Sequence, residues 1–528
     1  MPRVRMPARS FYDREHEVKG TMDMGLLYPV LCEEIYPGDT FEDDVEGIVR
    51  AEPMLKPVMH EINCYLRAFF VRDWTIMEDF EEMISAGPSG ESTVEVPFNS
   101  EMTVAEGSLC DWLRINPGEY SSGYFSMLPI YGYNKIVNDH YVNLNTLPDG
   151  VDMDSTELFR VNWERDFFTS GLPWAQRGPQ VIMPLGTSAP IMVDNNLNQS
   201  TGVADSVLGI GLKVPVQLSS DTTVTTASLH QLNQLSQVQA NALFSGHPSG
   251  TGVLDNNLYA DLSASSGLSV NAWRQYLQVQ AWMELNALGG PRYPELVLQH
   301  FGVVTPDARL ERAEYLGSVK MPIIVSEVLQ TSSTDSVSPQ GNLSGHGIAA
   351  AVRQLLRKRS FTEHGWLYVV MSIVPRSGYQ QGIPLEYFRK THLDFMWPLF
   401  TRLGMREVPI KSLYTGAYLL NGEVVSPDTP NAVWTPVSNP DKTFNYQTIY
   451  NELRYKTNSV HGKMRSSLSF WHLNRIFSEE PVFNNEFVSC NPSKRIFEVP
   501  SEPAFEVQLV HKLKAYRELP KDVTPWHF

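Results

Sequence analysis

A chain of 528 residues with 42% hydrophobic and 11% aromatic residues has ample material for a packed core, which excludes disorder along its whole length. The formal net charge of −17 excludes a broad basic face gripping nucleic acid, so any such contact is local or delegated. The 36 prolines and 35 glycines favour a loop-rich β architecture over a helical bundle.

In chain order, residues 1–25 are polar and of mixed charge, and are expected to order only against a partner. Their basic residues are followed by no apolar core, so they do not read as a secretory signal. Tyr36-Pro37-Gly38-Asp39 is a turn between short β-like runs, and Glu61–Val71 is a strand candidate. A helix is predicted next, capped by Asp73, with Ile76, Met77, Phe80, Met83 and Ile84 as its apolar stripe and Gly87-Pro88 as its stop. A second runs over Leu128–Val142 with Pro129 in its first turn and Ile130, Tyr133, Ile136 or Val137, and Tyr141 on one face. Val181–Leu185 reads as a short strand. Residues 186–268 then change character: Ser, Thr, Asn, Gln and Gly dominate. This stretch is predicted to be a folded surface insertion, with strands at Leu212–Leu218 and Thr222–Ala227.

A helix capped by Ser269 follows, with Trp273, Leu277, Ala281, Leu285 and Leu288 on one face and Gly289-Gly290-Pro291 as its end. Met321–Leu329 and Trp366–Val374 are runs of branched apolar residues without helical spacing, as buried strands are. The Ser/Thr/Asn/Gly-rich stretch between them reads as a long polar loop, with Gln330–Gly347 as a connection. Late strands are expected at Pro481–Phe497 and Ala504–Leu513. Strands scattered from first to last, without a βαβ rhythm, argue for one β domain with long excursions.

Motifs for chemistry are missing. There is no phosphate-binding glycine loop and no nucleophile elbow. His60-Glu61 begins like a zincin helix, but the position four residues on is Cys64, in a strand-like segment. Glu363-His364 pairs an acid with an imidazole, yet the pair reads better as a polar cap on a strand end than as a general acid–base couple. Acidic runs at Glu42-Asp43-Asp44 and Glu78–Glu82 lack the spacing of a calcium loop and read as solvated faces. Cys32, Cys64, Cys110 and Cys490 have no C-x-x-C pair and are expected as free thiols. No apolar run of about 18 residues predicts a membrane span. Two basic clusters remain as candidate DNA or subunit contacts. Arg353, Arg357, Lys358 and Arg359 precede the Trp366–Val374 strand. Lys456, Lys463 and Arg465, with His461, interleave with Tyr450, Tyr455, Phe470 and Trp471. Bases beside aromatics suit phosphate contact with base stacking, and equally suit ion pairs to a neighbouring subunit.

Four segments in one order carry a resemblance. DFFTSGLPWAQRGPQVIMPLG (Asp166–Gly186), the run Leu285–Asp335 with its Tyr-Leu-Gly, FTEHGWLYVVMSIVPRSGYQQG (Phe361–Gly382) and YNELRYKTNSVHGKMRSSLSFWHLNR (Tyr450–Arg475) resemble the major capsid proteins of the Microviridae, small single-stranded DNA phages, in their gokushovirus-like branches. The resemblance spans most of residues 25–528 outside the insertion. It implies a mainly β, eight-stranded antiparallel jelly-roll with helix-containing loops over residues 26–528, in a T=1 icosahedral shell around circular single-stranded DNA. It also implies that 186–268 rise as a protrusion at the three-fold axes. The partners implied are other copies of the chain, the packaged DNA, a small basic DNA-associated protein, other minor virion proteins and a host-surface receptor. The place implied is the virion, assembled in the host cytoplasm, with no catalysis and no cofactor. Two other classes compete: a carbohydrate-binding β adhesin, for its aromatic, Asn-rich loops, and a β-scaffold hydrolase using Glu363 and His364.

Overall fold

The computed structural model describes residues 9–86, 92–179, 270–329, 343–421, 423–425 and 429–520, with Val181 and short strands between 191 and 260. The chain divides into two compact units, Met1–Arg177 with Glu284–Phe528, and Gly178–Met283.

Period-two alternation of apolar and polar residues makes the walls of the first unit. Nine strands bond into one antiparallel sheet: β1 (Ser10–Asp13), β2 (His16–Met22), β3 (Leu27–Ile35), β4 (Thr40–Ala51), β5 (Ile62–Arg72), β6 (Glu314–Leu329), β7 (Leu343–Ser360), β8 (Gly365–Pro375) and β9 (Phe505–Arg517). Their order is β1–β9–β4–β7–β6–β5–β8–β3, with β2 a second partner of β9. The sheet curls because β6 serves two neighbours. Its end, Ile324–Leu329, pairs with β7, whereas Glu314–Ile323 pair with β5. Beyond the shared hairpin β7 continues along β4. Two layers therefore face each other, β9, β4 and β7 against β6, β5, β8 and β3.

Alternation decides what fills the space between the layers. On β4, Phe41, Val45 and Val49 are buried while Ile48 and Arg50 are exposed; on β9, Phe505, Val507, Leu509 and Leu513 are buried while Glu506 and Gln508 are exposed. They meet Leu66, Phe70, Leu367, Val369 and Met371 in one core. Burying a side chain such as Phe505 contributes roughly 1.5–3 kcal/mol. Strand β8 is apolar at nearly every position because both of its faces are covered. Its other face, with Tyr368, Val370 and Val374, packs with α1 (Leu128–Ile136) in a second apolar cluster. The Tyr368 hydroxyl donates to Pro129 O (2.7 Å) and the Tyr133 hydroxyl to Leu27 O (2.8 Å). A Cβ on Gly132 would stand 2.2 Å from the Tyr368 hydroxyl, so only glycine lets helix and strand approach. A third cluster, with Phe168, Tyr379, Leu413, Phe444 and Phe487, underlies the excursion between β8 and β9.

The mainly β jelly-roll class is borne out, with β1 and β2 both added on β9. Several local expectations are corrected. Residues 10–22, expected to wait for a partner, pair with β9 of their own chain, because His16–Met22 alternate and match its exposed edge. The stretch between Met321–Leu329 and Trp366–Val374 is not all loop: from Leu343 it is strand β7, which pairs with both β6 and β4, while 330–342 lie outside the described residues. Only Met321 and Ile323 of the predicted Met321–Leu329 core strand are buried; Ile324, Val328 and Leu329 are exposed. Asp73 is not a helix cap. It opens a single 3-10 turn, Asp73–Thr75, and a separate short helix covers Phe80–Ser85. The Leu128 helix holds, and its last turn widens into a π turn, Val137–Tyr141, that keeps Tyr141 buried. In the second unit, Val216–Leu218 and Thr222–Val224 pair antiparallel. Residues 182–185 lie outside the described residues. The Ser269 helix is α2 (Val270–Gly289), but Trp273, Leu277 and Leu288 of its predicted face remain exposed. Pro481–Phe497 holds a short helix, Asn485–Val488, rather than a strand.

Candidate nucleic-acid and subunit interface

The first basic cluster lies on β7, and all four of its cations are exposed. Two register shifts, between Gln354 and Leu356 and between Leu356 and Arg359, break its alternation, so Leu355 and Leu356 are both buried. Two of the cations are engaged at home. Arg359 pairs with Glu314, which also takes Arg72 at 3.2 Å, and Arg72 reaches Glu363 at 2.6 Å. The Lys358 ammonium stands 4.2 Å from the Tyr516 ring centroid. Arg353 and Arg357 have no ion pair among the described residues. The same chain of pairs accounts for Glu363-His364. Glu363 is tied to Arg72 and accepts from the Trp74 indole (3.3 Å), and His364 packs edge-on to Tyr36 and Phe80. His60 is likewise structural: its Nε2 meets Arg376 O at 2.7 Å, and burial pushes its pKa down to about 4. The acidic run on β4 faces β9: Asp43 bonds the buried His511 at 2.8 Å, and Glu46 pairs with Lys512. The four cysteines are free.

The second cluster lies on the loop after Tyr450. Lys456 and Arg465, with His461, line a cavity of 290 Å³ together with Tyr387 and Tyr455. The Arg465 Nε donates to Val460 O (2.6 Å) and its carbonyl accepts from Gln380 (3.1 Å), so the loop is closed on itself and on the β8 exit. Lys463, exposed in the turn Gly462–Arg465, does not line that cavity. Arg165 and Arg376, which sequence reasoning missed, join Lys456 around a neighbouring cavity of 140 Å³. No local signal reveals them, because the three come from segments 80 residues or more apart in sequence.

The motifs that carry the resemblance act as fasteners here. Asp166 Oδ1 accepts from the backbone of Phe168 and Thr169, both at 2.8 Å, while its Oδ2 takes the hydroxyls of Tyr379 (2.7 Å) and Ser377. Gln381 makes a pair of hydrogen bonds with the Phe477 backbone, its Nε2 donating to the carbonyl and its Oε1 accepting from the N–H, both 2.7 Å. A Cβ on Gly171 would stand 2.0 Å from the Asn445 amide. Arg475 lies against an aromatic group, 4.1 Å from the Phe487 ring centroid and 5.3 Å from Trp163. None of these groups is arranged for turnover; they hold long excursions onto one wall.

Comparison with known proteins decides what that scaffold is. The phage capsid protein (F protein) family matches residues 3–526. The chain belongs to this family. It is 30% identical to Capsid protein VP1 of Chlamydia phage 1, over 97% of this chain and 94% of that one. It is 29% identical to Capsid protein VP1 of Bdellovibrio phage phiMH2K, over 92% and 88% of the two chains, and 27% identical to that of Spiroplasma virus 4, over 90% and 86%. The resemblance to the Microviridae is thereby borne out, and the adhesin and hydrolase readings fall away. This capsid protein is a structural, non-enzymatic component of the virion that self-assembles into a shell. No helix among the described residues is long and apolar enough to cross a membrane.

Proposed function

We propose that this capsid protein forms a T=1 icosahedral shell that encloses circular single-stranded DNA and assembles in the host bacterial cytoplasm. The observation that carries the DNA part is the 290 Å³ cavity, where Lys456, His461 and Arg465 stand beside Tyr387 and Tyr455. Cations for phosphate and rings for stacking are what a local single-strand contact needs, on a chain whose net charge of −17 rules out a broad one. Lys463 adds an exposed cation on the same loop. A small basic protein on the DNA supplies the remaining neutralisation, beside other minor virion proteins. On β7, Arg353 and Arg357 face either the DNA or a neighbouring subunit, while Lys358 and Arg359 serve the chain's own fold. Residues 26–528 are read as one jelly-roll domain, and residues 1–25 as an N-terminal arm whose strands β1 and β2 pair with β9 of that domain. Residues 186–268 are read as its surface protrusion, serving attachment to a host receptor; their membership of a separate compact unit supports this.

The test is a set of purified particles of the wild type and of Lys456→Glu/Lys463→Glu/Arg465→Glu. T=1 symmetry by electron microscopy and nuclease-protected single-stranded DNA are expected for the wild type; another triangulation or empty shells overturn the reading. The triple variant is expected to close into particles with a lowered ratio of nucleic acid to protein. Unchanged DNA content removes this loop from the DNA interface, and failure to close assigns it to subunit contact. Deletion of residues 190–265 is expected to spare the fold and reduce adsorption to host cells.

A further inference from the structure

Eight residues beyond the end of the wall strand β8, the segment Ile383–Leu403 turns apolar side chains outward. Leu399 is 84% exposed and Leu403 64%, and Leu393, Phe395, Met396 and Trp397 are each about half exposed. With roughly 200 Å² for a large side chain, these six alone show on the order of 700 Å² of apolar surface. A soluble monomer seldom leaves a contiguous patch that large, and a specific interface of standard size uses about 800 Å² per partner.

The segment is built, not loose. Three 3-10 turns, Leu385–Phe388, His392–Asp394 and Pro398–Arg402, carry it. Asp394 takes the backbone N–H of Lys390 (2.9 Å) and Thr391 (2.7 Å), and the Trp397 indole donates to His392 O (2.8 Å). Leu385 is sunk in the third core cluster, and Arg389 pairs with Glu452 at 3.4 Å. Beneath it Tyr450, held at φ +59°, donates its hydroxyl to Phe395 O at 3.2 Å. A left-handed tyrosine is strained, and such strain persists where the surroundings over-determine it. The apolar side chains are therefore presented with their ordering already in place, which lowers the entropic cost of docking.

We propose that Ile383–Leu403 is a contact surface between copies of this chain, docking its exposed apolar residues onto a neighbouring copy in the shell. This rests on the capsid reading, which makes other copies the obligatory neighbours of every surface outside the two shell faces. Charge points the same way. Lys390 and Arg402 are exposed in the segment, Arg402 has no ion pair among the described residues, and a chain of net charge −17 offers a mainly acidic counterpart. Packaged DNA fits less well: it could use the rings of Phe395 and Trp397 with Lys390 and Arg402, but it leaves Leu393, Leu399 and Leu403, which offer neither a stacking plane nor a phosphate donor, without a partner.

The experiment places a photo-activated cross-linking residue at position 399 of the full chain, in assembled particles, beside the variant Leu399→Asp. Expected are a cross-linked product of twice the chain's mass and, for Leu399→Asp, an unchanged thermal midpoint with particle yield lowered roughly tenfold or more. Cross-links to DNA, to another virion protein or to nothing overturn the proposal, as does wild-type yield from a folded Leu399→Asp. If that variant fails to fold, Leu399→Ser and Leu403→Ser, which add no charge to the segment, are judged by the same yield and midpoint. Wild-type shells that close without DNA would overturn the DNA-enclosing reading and leave this one standing.

Discussion

Strand β8 and the segment Ile383–Leu403 are near neighbours in sequence and both rich in large apolar residues, yet they end in opposite surroundings. Almost every residue of Gly365–Pro375 is buried, one face by the two-layer core and the other by α1. In Ile383–Leu403 the aromatics and leucines stand mostly exposed, on turns whose own hydrogen bonds are complete. Apolar content states that a surface must be covered; it does not state whether the same chain or another one covers it. In a shell protein the second answer is as ordinary as the first, because much surface is completed only on assembly.

That contrast can be broken at graded cost. Tyr368→Ala should be the most damaging change, destabilising the unassembled protein by about 3–5 kcal/mol through the cavity between β8 and α1; denaturant unfolding measures it, and a loss below about 1 kcal/mol would mean the outer face of β8 is not a true core. His511→Leu should cost roughly 2–3 kcal/mol, since it leaves the buried Asp43 carboxylate without the imidazole now 2.8 Å away. Adding Asp43→Leu should recover most of that loss, because an apolar pair of similar volume replaces the polar one; no recovery would show that packing, not polarity, dominates there.

A further effect depends on pH. Burial, with the charge of Glu34 adding to it, pushes the Asp73 carboxyl up to about 7. The folded chain then holds a proton that the unfolded chain releases, so stability falls as pH rises from about 4 to about 7, by roughly 1 kcal/mol per pH unit at the steepest. Asp73→Asn should flatten that slope in unfolding curves taken across this range, and an unchanged slope would assign it to other groups. Leu399→Asp should barely register in stability, below about 0.5 kcal/mol, since the residue touches little within its own chain. A larger destabilisation would show that the exposed segment belongs to the fold after all.

Much of the wall was legible in the residues. Trp366–Val374 and Ala504–Leu513 announce strands by run and alternation, and Leu128–Val142 announces a buried helix face by its spacing. Strand β7 was not legible, because Ser344–Ala351 are small and polar-flanked and its basic end lacks a clear period. Its strand state follows from the ladders on both sides, with β6 and β4. Asp43 looked like part of a solvated acidic run; only the register of β4 against β9 sets it beside His511, by turning every second residue inward. The basic loop was half legible. Its cations and rings stand together in sequence, but Arg165 and Arg376 reach Lys456 only through the fold.

By itself, the sequence determined the class: a β-rich chain with a sufficient core, no catalytic signature, and ordered motifs that belong to a phage capsid protein family. One of those motifs shows its structural use: Asp166 takes the hydroxyls of Tyr379 and Ser377, tying the segment after Trp163 to the exit of β8. The tertiary structure alone decided which apolar runs are covered by their own chain and which are left exposed. Periodicity records that a face is apolar, whereas burial depends on what long-range pairing brings against it.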